Sequence, residues 1–270
     1  MDMADKEDRF SRSAALLGEA AMTRLANARV LVVGVGGVGS WCAEALVRTG
    51  VGKITLIDDD VVAESNVNRQ CPATTETIGR AKVEAMAERL KAINPESEII
   101  GINNRYPLSC LSDLSSDHRT IEPSDHVRNF SISDYDAVVD AIDSVDCKAE
   151  LILGATEAGV PLVSSMGAEL RTDPTKVKVT RYEKVEGDGL AKALRQRFRK
   201  LERWPKGRFS CVWSGEPPVG NGPRSLFCTS GRETASPFRA GKGSLMPVTA
   251  TFGMCLASET IKLLTKGEMK

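Results

Sequence analysis

No two of the seven cysteines are spaced C-x-x-C. Their scatter and odd number argue against a disulfide framework and against a four-cysteine zinc site, leaving reduced thiols in a cytoplasmic protein. No run of roughly eighteen apolar residues is present, so neither a transmembrane helix nor a membrane partner is expected. The opening MDMADKEDRF is charged and no apolar stretch follows it, so no secretory signal is expected. Net charge is missing as well. Thirty-six lysines and arginines balance 36 acidic residues, which excludes a histone-like polycation but not a local basic patch. Internal repeats and low-complexity tracts are absent, and the two histidines, His118 and His126, are assigned no role. What remains is globular composition: 270 residues, 41% hydrophobic and 27% charged, enough to bury a core without metal or disulfide staples.

Strand and helix signals alternate along the first half. Residues 8–27 are expected to be helical, with Arg9 and Arg12 at the start. Residues 30–33 form a short apolar run ended by glycine, the pattern of a buried parallel strand. A helix over 40–48 and a strand over 53–57 follow, then a polar irregular stretch over 61–78. Val83, Met86, Leu90 and Ile93 recur at helical spacing until Asn94-Pro95 stops them. Further strands are expected over 98–102, 137–142, 160–165 and 177–181, with a helix over 146–158 and a polar insertion over 104–134. This alternation predicts an α/β fold: a Rossmann-like, doubly wound, mainly parallel sheet with a C-terminal basic and helical extension. In the extension, 190–204 is a basic helix, 205–244 is rich in Gly, Pro and Ser, and 246–264 is a closing helix.

Gly34, Gly36, Gly37 and Gly39 lie between a strand and a helix, where backbone can approach phosphate closely and the helix start offers unpaired N–H groups. Asp58 ends the next strand, 22 residues after Gly36, where an acid can bind ribose hydroxyls. So far a dinucleotide dehydrogenase fits as well as an ATP enzyme. The carboxyl ends of parallel strands share one crevice, so Asp58, the loop holding Asn66, Arg69 and Gln70, and Asp143 should converge there with Lys82. Taken singly, Asn66 would cap a turn, Arg69 and Lys82 would be surface cations, and Asp143 would cap a helix. Together they suit adenylation of a carboxylate. Arg69 and Lys82 would neutralise charge on the phosphoryl oxygens, Asp143 would hold Mg²⁺, and Asn66 and Gln70 would position phosphate oxygens.

These residues resemble the ThiF-type, ubiquitin-activating-enzyme-like adenylating family. The pieces that match are Arg9-Phe-Ser-Arg12, the glycine loop, Leu56-Ile-Asp58-Asp-Asp60, Ser65-Asn66-Val-Asn68-Arg69-Gln70, Gly79-Arg-Ala-Lys82, Ile93-Asn94-Pro95 and Asp140-Ala-Ile-Asp143, in family order. The resemblance implies that the glycine loop, Asp58 and Asp60 bind the nucleotide. It implies that Asn66, Arg69, Gln70 and Lys82 surround the triphosphate of ATP and that Asp143 holds the magnesium. It also implies that Arg12 reaches into the partner protomer's site, which makes the enzyme a homodimer. The chain would then be a single ThiF-type domain: an N-terminal helical arm over 1–29, an ATP-binding core over 30–170, and a tRNA-facing extension with the closing helix over 171–270.

Within the family, Gly39-Ser40-Trp41, Arg48-Thr49-Gly50, Asp143-Ser144-Val145 and Val248-Thr249-Ala250-Thr251-Phe252-Gly253 are similar to the branch that dehydrates threonylcarbamoyladenosine in tRNA. Relatives that activate sulfur carriers usually have paired C-x-x-C zinc ligands, which this chain lacks. The branch implies ATP-dependent cyclisation of threonylcarbamoyladenosine at position 37 of tRNA. The alternative is adenylation of the C-terminus of a ubiquitin-like sulfur carrier. Sulfur-transfer proteins as partners, and a monovalent cation near the C-terminal segment, are left open.

Eight basic residues fall between 190 and 208, opposed only by Glu202. Of these, Lys192, Arg195, Arg197, Arg199, Lys200 and Arg203 are the candidates for the phosphates of tRNA, the other reading being a solvated helix face. Trp204 and Phe209 could stack on bases or pack in the core. Cys211 is expected to be an inert or partly exposed thiol beyond the core.

Overall fold

A computed structural model describes residues 8–108, 130–219 and 243–266. His118, His126, Cys110 and Cys228 lie outside the described residues, as do most of the insertion over 104–134 and of the stretch over 205–244. The N-terminal helix is two helices, α1 (Ser11–Leu17) and α2 (Glu19–Asn27), because Gly18 at φ +84° turns the chain between them. Seven strands follow in one sheet: β1 (Arg29–Val33), β2 (Lys53–Ile57), β3 (Glu98–Ile102), β4 (Ala137–Asp140), β5 (Leu162–Ser165), β6 (Val177–Arg181) and β7 (Ser210–Ser214). Their order is β3-β2-β1-β4-β5-β7-β6, parallel throughout except for the antiparallel pair β6–β7. The helices between them are α3 (Gly39–Thr49), α4 (Lys82–Ile93), α5 (Val145–Glu157) and α6 (Gly189–Leu201), and α7 (Met246–Leu264) follows the last strand. Among the described residues no helix is long and apolar enough to cross a membrane.

Alternation along β1 shows how the sequence builds three layers. Val30 and Val32 pack with Leu46, Met86, Leu90 and Phe252 on one face, so α3, α4 and α7 cover that side. Leu31 and Val33 pack with Leu151, Ile152, Leu194 and Phe198, so α5 and α6 cover the other. Strand β7 corrects the sequence reading. Residues 210–214 lie in the Gly/Pro/Ser-rich stretch, yet they form a strand between β5 and β6. Cys211 is therefore fully buried in the sheet, and burial pushes its thiol well above the ordinary range, which leaves it inert.

One buried carboxylate ties α3, α4 and the loop before α4 together. Glu44 of α3 accepts from Arg89 Nε at 2.6 Å, Arg48 Nε at 2.8 Å and Cys71 Sγ at 2.8 Å. Burial pushes the Glu44 carboxyl up, but these partners outweigh it and hold it at about 2. The resulting stabilisation is complete above the ordinary value of 4.5 and is lost as pH falls towards about 2. The gap in melting temperature between wild type and Glu44→Gln is expected to be widest near neutral pH and to close across that window. A gap independent of pH would show that the charge of Glu44 contributes nothing.

Candidate active site

The sheet order reverses beside β1, whose neighbours are β2 and β4, and a crevice opens there at the carboxyl ends of the strands. It forms a cavity of about 790 Å³ walled by the loops after β1, β2, β4 and β5 and by the start of α6. The loop after β1 needs its glycines. Gly34 has φ +90°, and a Cβ there would lie 2.6 Å from the Ala141 carbonyl oxygen. A Cβ on Gly39 would collide with the Gly34 carbonyl oxygen. The loop therefore hugs the loop after β4 and leaves Gly36 and Gly37 on the cavity wall.

Asp58 fixes the loop from the next strand. It accepts from the Val35 N–H at 2.6 Å and the Asp60 N–H at 2.9 Å. Burial pushes its carboxyl above the usual carboxylate range, against the pull of Lys82 and those two N–H groups. Lys82 opens α4 with only 6% of its side chain exposed, its Nζ 2.6 Å from Asp60 and 4.0 Å from Asp58.

The loop over 66–71 is tied to α3. Trp41 Nε1 donates to the Arg69 carbonyl at 2.9 Å, and the Cys71 N–H donates to Ser40 Oγ at 3.1 Å. Ser40 Oγ in turn donates to the Gly36 carbonyl at 2.6 Å, which joins this loop to the glycine loop. Asn66 does cap a turn, accepting from the Ala63 N–H at 3.0 Å, and it also faces the cavity. Arg69 Nη1 donates to the Ser65 carbonyl and to Asn68 Oδ1, both at 2.9 Å. Gln70 is buried and its Oε1 has no hydrogen-bond partner, an orphan acceptor in the cavity wall that a polar ligand would satisfy.

Asp143 is exposed on the cavity wall, just before α5. Beneath it lies a device the sequence reading missed. Lys148 and Asp140 are fully buried 2.9 Å apart. Lys148 Nζ also donates to the Ile142 carbonyl at 3.0 Å, while Asp140 accepts from the Ile142 N–H at 3.2 Å and from Ser164 Oγ at 2.7 Å. The pair thus holds the Ala141–Asp143 turn from both sides. In the sequence Lys148 opens Lys148-Ala-Glu-Leu-Ile-Leu153, eight residues after Asp140, and with Glu150 two residues on, it reads as an ordinary helix-surface cation.

The structure brings Gly34, Gly36, Gly37, Asp58, Asp60, Asn66, Arg69, Gln70, Lys82 and Asp143 to one cavity. Gly39 stands behind its wall, and Arg12, exposed on α1, is not among the lining residues. The basic segment divides. Arg195 donates to the Val185 carbonyl at 2.6 Å and lies 5.2 Å from the Tyr182 ring, Arg197 pairs with Asp146 at 2.9 Å, and Arg203 pairs with Glu157 at 3.1 Å. Lys192, Arg199 and Lys200 are exposed on the other side of α6 from Leu194 and Phe198. Phe209 is core, stacked on Tyr182 with ring centroids 5.0 Å apart, whereas Trp204 is half exposed.

Comparison with known proteins extends the pattern. The ThiF family profile matches residues 10–270. The chain is 39% identical to the tRNA threonylcarbamoyladenosine dehydratase of Escherichia coli K12, over 94% of this chain and 92% of that protein. It is 36% identical to the dehydratase of Haemophilus influenzae, over 96% and 94% of the two chains. The crystal structure of the E. coli dehydratase in complex with ATP superposes with a TM-score of 0.76 at 36% identity, over 98% of this chain and 97% of that one. The molybdopterin-synthase adenylyltransferase of Salmonella typhimurium is 35% identical over only 60% of this chain and 57% of that protein.

Proposed function

The chain belongs to the ThiF family, and from that premise we propose that it uses ATP to cyclise threonylcarbamoyladenosine in tRNA with loss of one water. The observation that carries the reading is the cavity. One wall has the glycine loop, Asp58, Lys82, Arg69 and Gln70. The same space continues along the loop after β5 to the start of α6, leaving room for a second reactant. The substrate carboxylate attacks the α-phosphorus of ATP, a carboxyl–phosphate anhydride forms, and pyrophosphate leaves. An atom of the same modified base then attacks the activated carbonyl and expels AMP, so the water lost from the substrate is accounted for by ATP becoming AMP and pyrophosphate.

Lys82 and Arg69 bring cations to the phosphate side, where negative charge grows in the transition state. Asp58 and the glycine loop position ribose and phosphates. Asp143 offers hard carboxylate oxygen at the cavity wall, which suits Mg²⁺; the ion would balance phosphate charge there. We assign Arg12 to the partner protomer's cavity in a homodimer. Lys192, Arg199 and Lys200 are assigned to tRNA phosphates, with Arg195, Arg197 and Arg203 setting the shape of that surface.

The test is mass spectrometry of nucleosides from tRNA carrying threonylcarbamoyladenosine, incubated with the protein with and without ATP and Mg²⁺. An ATP-dependent loss of one water is expected. Stimulation of pyrophosphate exchange by a double-glycine carrier protein, with the nucleoside unchanged, would replace this reading with the sulfur-carrier alternative. In the same assay, Asp143→Asn is expected to raise the Mg²⁺ needed for half-maximal rate by about ten-fold or more.

A further inference from the structure

Three Lys or Arg side chains are buried among the described residues: Lys82, Lys148 and Arg171. Lys82 lies 2.6 Å from Asp60 and Lys148 lies 2.9 Å from Asp140. Arg171 is only 4% exposed, yet its Nε and Nη1 have no hydrogen-bond partner. Removing a guanidinium from water without a counter-charge is unfavourable, and fixed anions in such places are normally found close by. Among the described residues no carboxylate pairs with Arg171: Glu169, two residues away, is exposed, and two carboxylates of adjoining segments bond to backbone N–H groups. Glu216 accepts from the Thr172 and Asp173 N–H groups, each at 3.0 Å, and Asp188 accepts from Gly167 N–H at 3.1 Å and Ala191 N–H at 2.8 Å.

Arg171 is a residue of the cavity wall. Its loop is held in place, since Leu170 N–H donates to the Gly243 carbonyl and Val219 N–H donates to the Leu170 carbonyl, both at 2.8 Å. The loop follows β5, and β5 lies two strands from β1, whose end carries the glycine loop. At strand spacing this displaces it about 10 Å across the sheet from the glycine loop. The phosphate side already has Arg69 and Lys82. Arg105, exposed on the loop after β3, lines the wall as well. Arg171 differs from these three in being a buried cation on the far side without an acidic partner, and it answers an anion of the other reactant.

We propose that Arg171 binds an anionic group of the modified nucleotide, either its threonyl carboxylate or its backbone phosphate. The inference rests on the reading that this nucleotide enters the cavity. The planar guanidinium fork suits both groups, and a ligand oxyanion would complete the pairing that the protein leaves open. Arg171 is thus a substrate-binding residue, marked in the sequence only as a basic residue after β5.

The test compares wild type, Arg171→Met and Arg171→Lys by calorimetry, with the site saturated by a non-hydrolysable ATP analogue. The probes are threonylcarbamoyladenosine as the free nucleoside and as its 5′-monophosphate. Arg171→Met is expected to weaken binding about ten-fold or more, and Arg171→Lys to recover part of the loss. If both probes weaken, the carboxylate is the group held; if only the monophosphate weakens, it is the phosphate. The melting temperature of ligand-free Arg171→Met is expected to be no lower than that of wild type, because an unpaired buried charge has been removed. The proposal is overturned if wild type binds neither probe, or if Arg171→Met binds both as wild type does. A fall in melting temperature together with equal loss of ATP-analogue affinity would also overturn it, since that marks a structural arginine. Arg171-dependent binding without dehydration of modified tRNA would sink the proposed function and leave the anion site standing.

Discussion

A Lys148→Met protein is expected to lose about 3–5 kcal/mol of unfolding free energy in urea titrations. The reason is what the substitution leaves behind. Asp140 and Lys148 are both 0% exposed and 2.9 Å apart. Without the ammonium, the Asp140 carboxylate stays in a dry interior with only the Ser164 hydroxyl and the Ile142 N–H to satisfy it. Asp140→Asn/Lys148→Met removes both charges and is expected to recover much of the loss, since deleting a buried pair is less unfavourable than breaking it. Equal losses in the single and double variants would show that the isolated charge is not the cause. The single variant should also lose more activity than its folded fraction explains, because Lys148 Nζ holds the Ile142 carbonyl and hence the turn that ends at Asp143.

The contrast between Lys148 and the glycine loop shows which features could be read from the sequence. The loop, its strand and Asp58 were legible because their logic is local: an apolar run, glycines where backbone must turn, and an acid at the next strand end. The doubly wound sheet was legible for the same reason. The convergence of the loop over 66–70, Lys82 and Asp143 on one cavity was harder to read, since each alone has an ordinary surface explanation; it follows from the carboxyl ends of parallel strands sharing one crevice. Lys148 and Arg171 were not legible, because burial of a cation depends on distant segments. Lys148 meets Asp140 of β4, which in turn accepts from Ser164 of the neighbouring β5. The loop of Arg171 is held by Val219 and Gly243. Strand β7 was hidden by its neighbours: Ser210-Cys-Val-Trp-Ser214 is a fair strand sequence, but glycine, proline and serine around it suggested a loop. The single N-terminal helix failed at one residue, Gly18, whose φ of +84° an unbroken helix would not allow.

Lys82→Met is expected to lower kcat by about 10²–10³-fold, measured as the rate of water loss from threonylcarbamoyladenosine in tRNA at saturating ATP. Lys82 has a partner even closer than that of Lys148, with Nζ 2.6 Å from Asp60, yet the consequence should differ. The Asp60 side chain is 66% exposed, so water can solvate its carboxylate once the lysine is gone. Asp58 is the group that suffers. Its carboxyl is already pushed up by burial, and Lys82 is the charge that opposes the push. Losing that charge raises it further, so Asp58 takes up a proton at a higher pH and its hold on the Val35 N–H weakens first on the acid side. Lys82→Met should therefore remain better folded than Lys148→Met while being much the poorer catalyst per folded molecule. The activity loss should also deepen as pH is lowered. If kcat is unchanged and only the melting temperature falls, Lys82 serves to hold Asp58 and Asp60 in place, and the cation for the transferring group must be sought among the arginines of the cavity, Arg69 first.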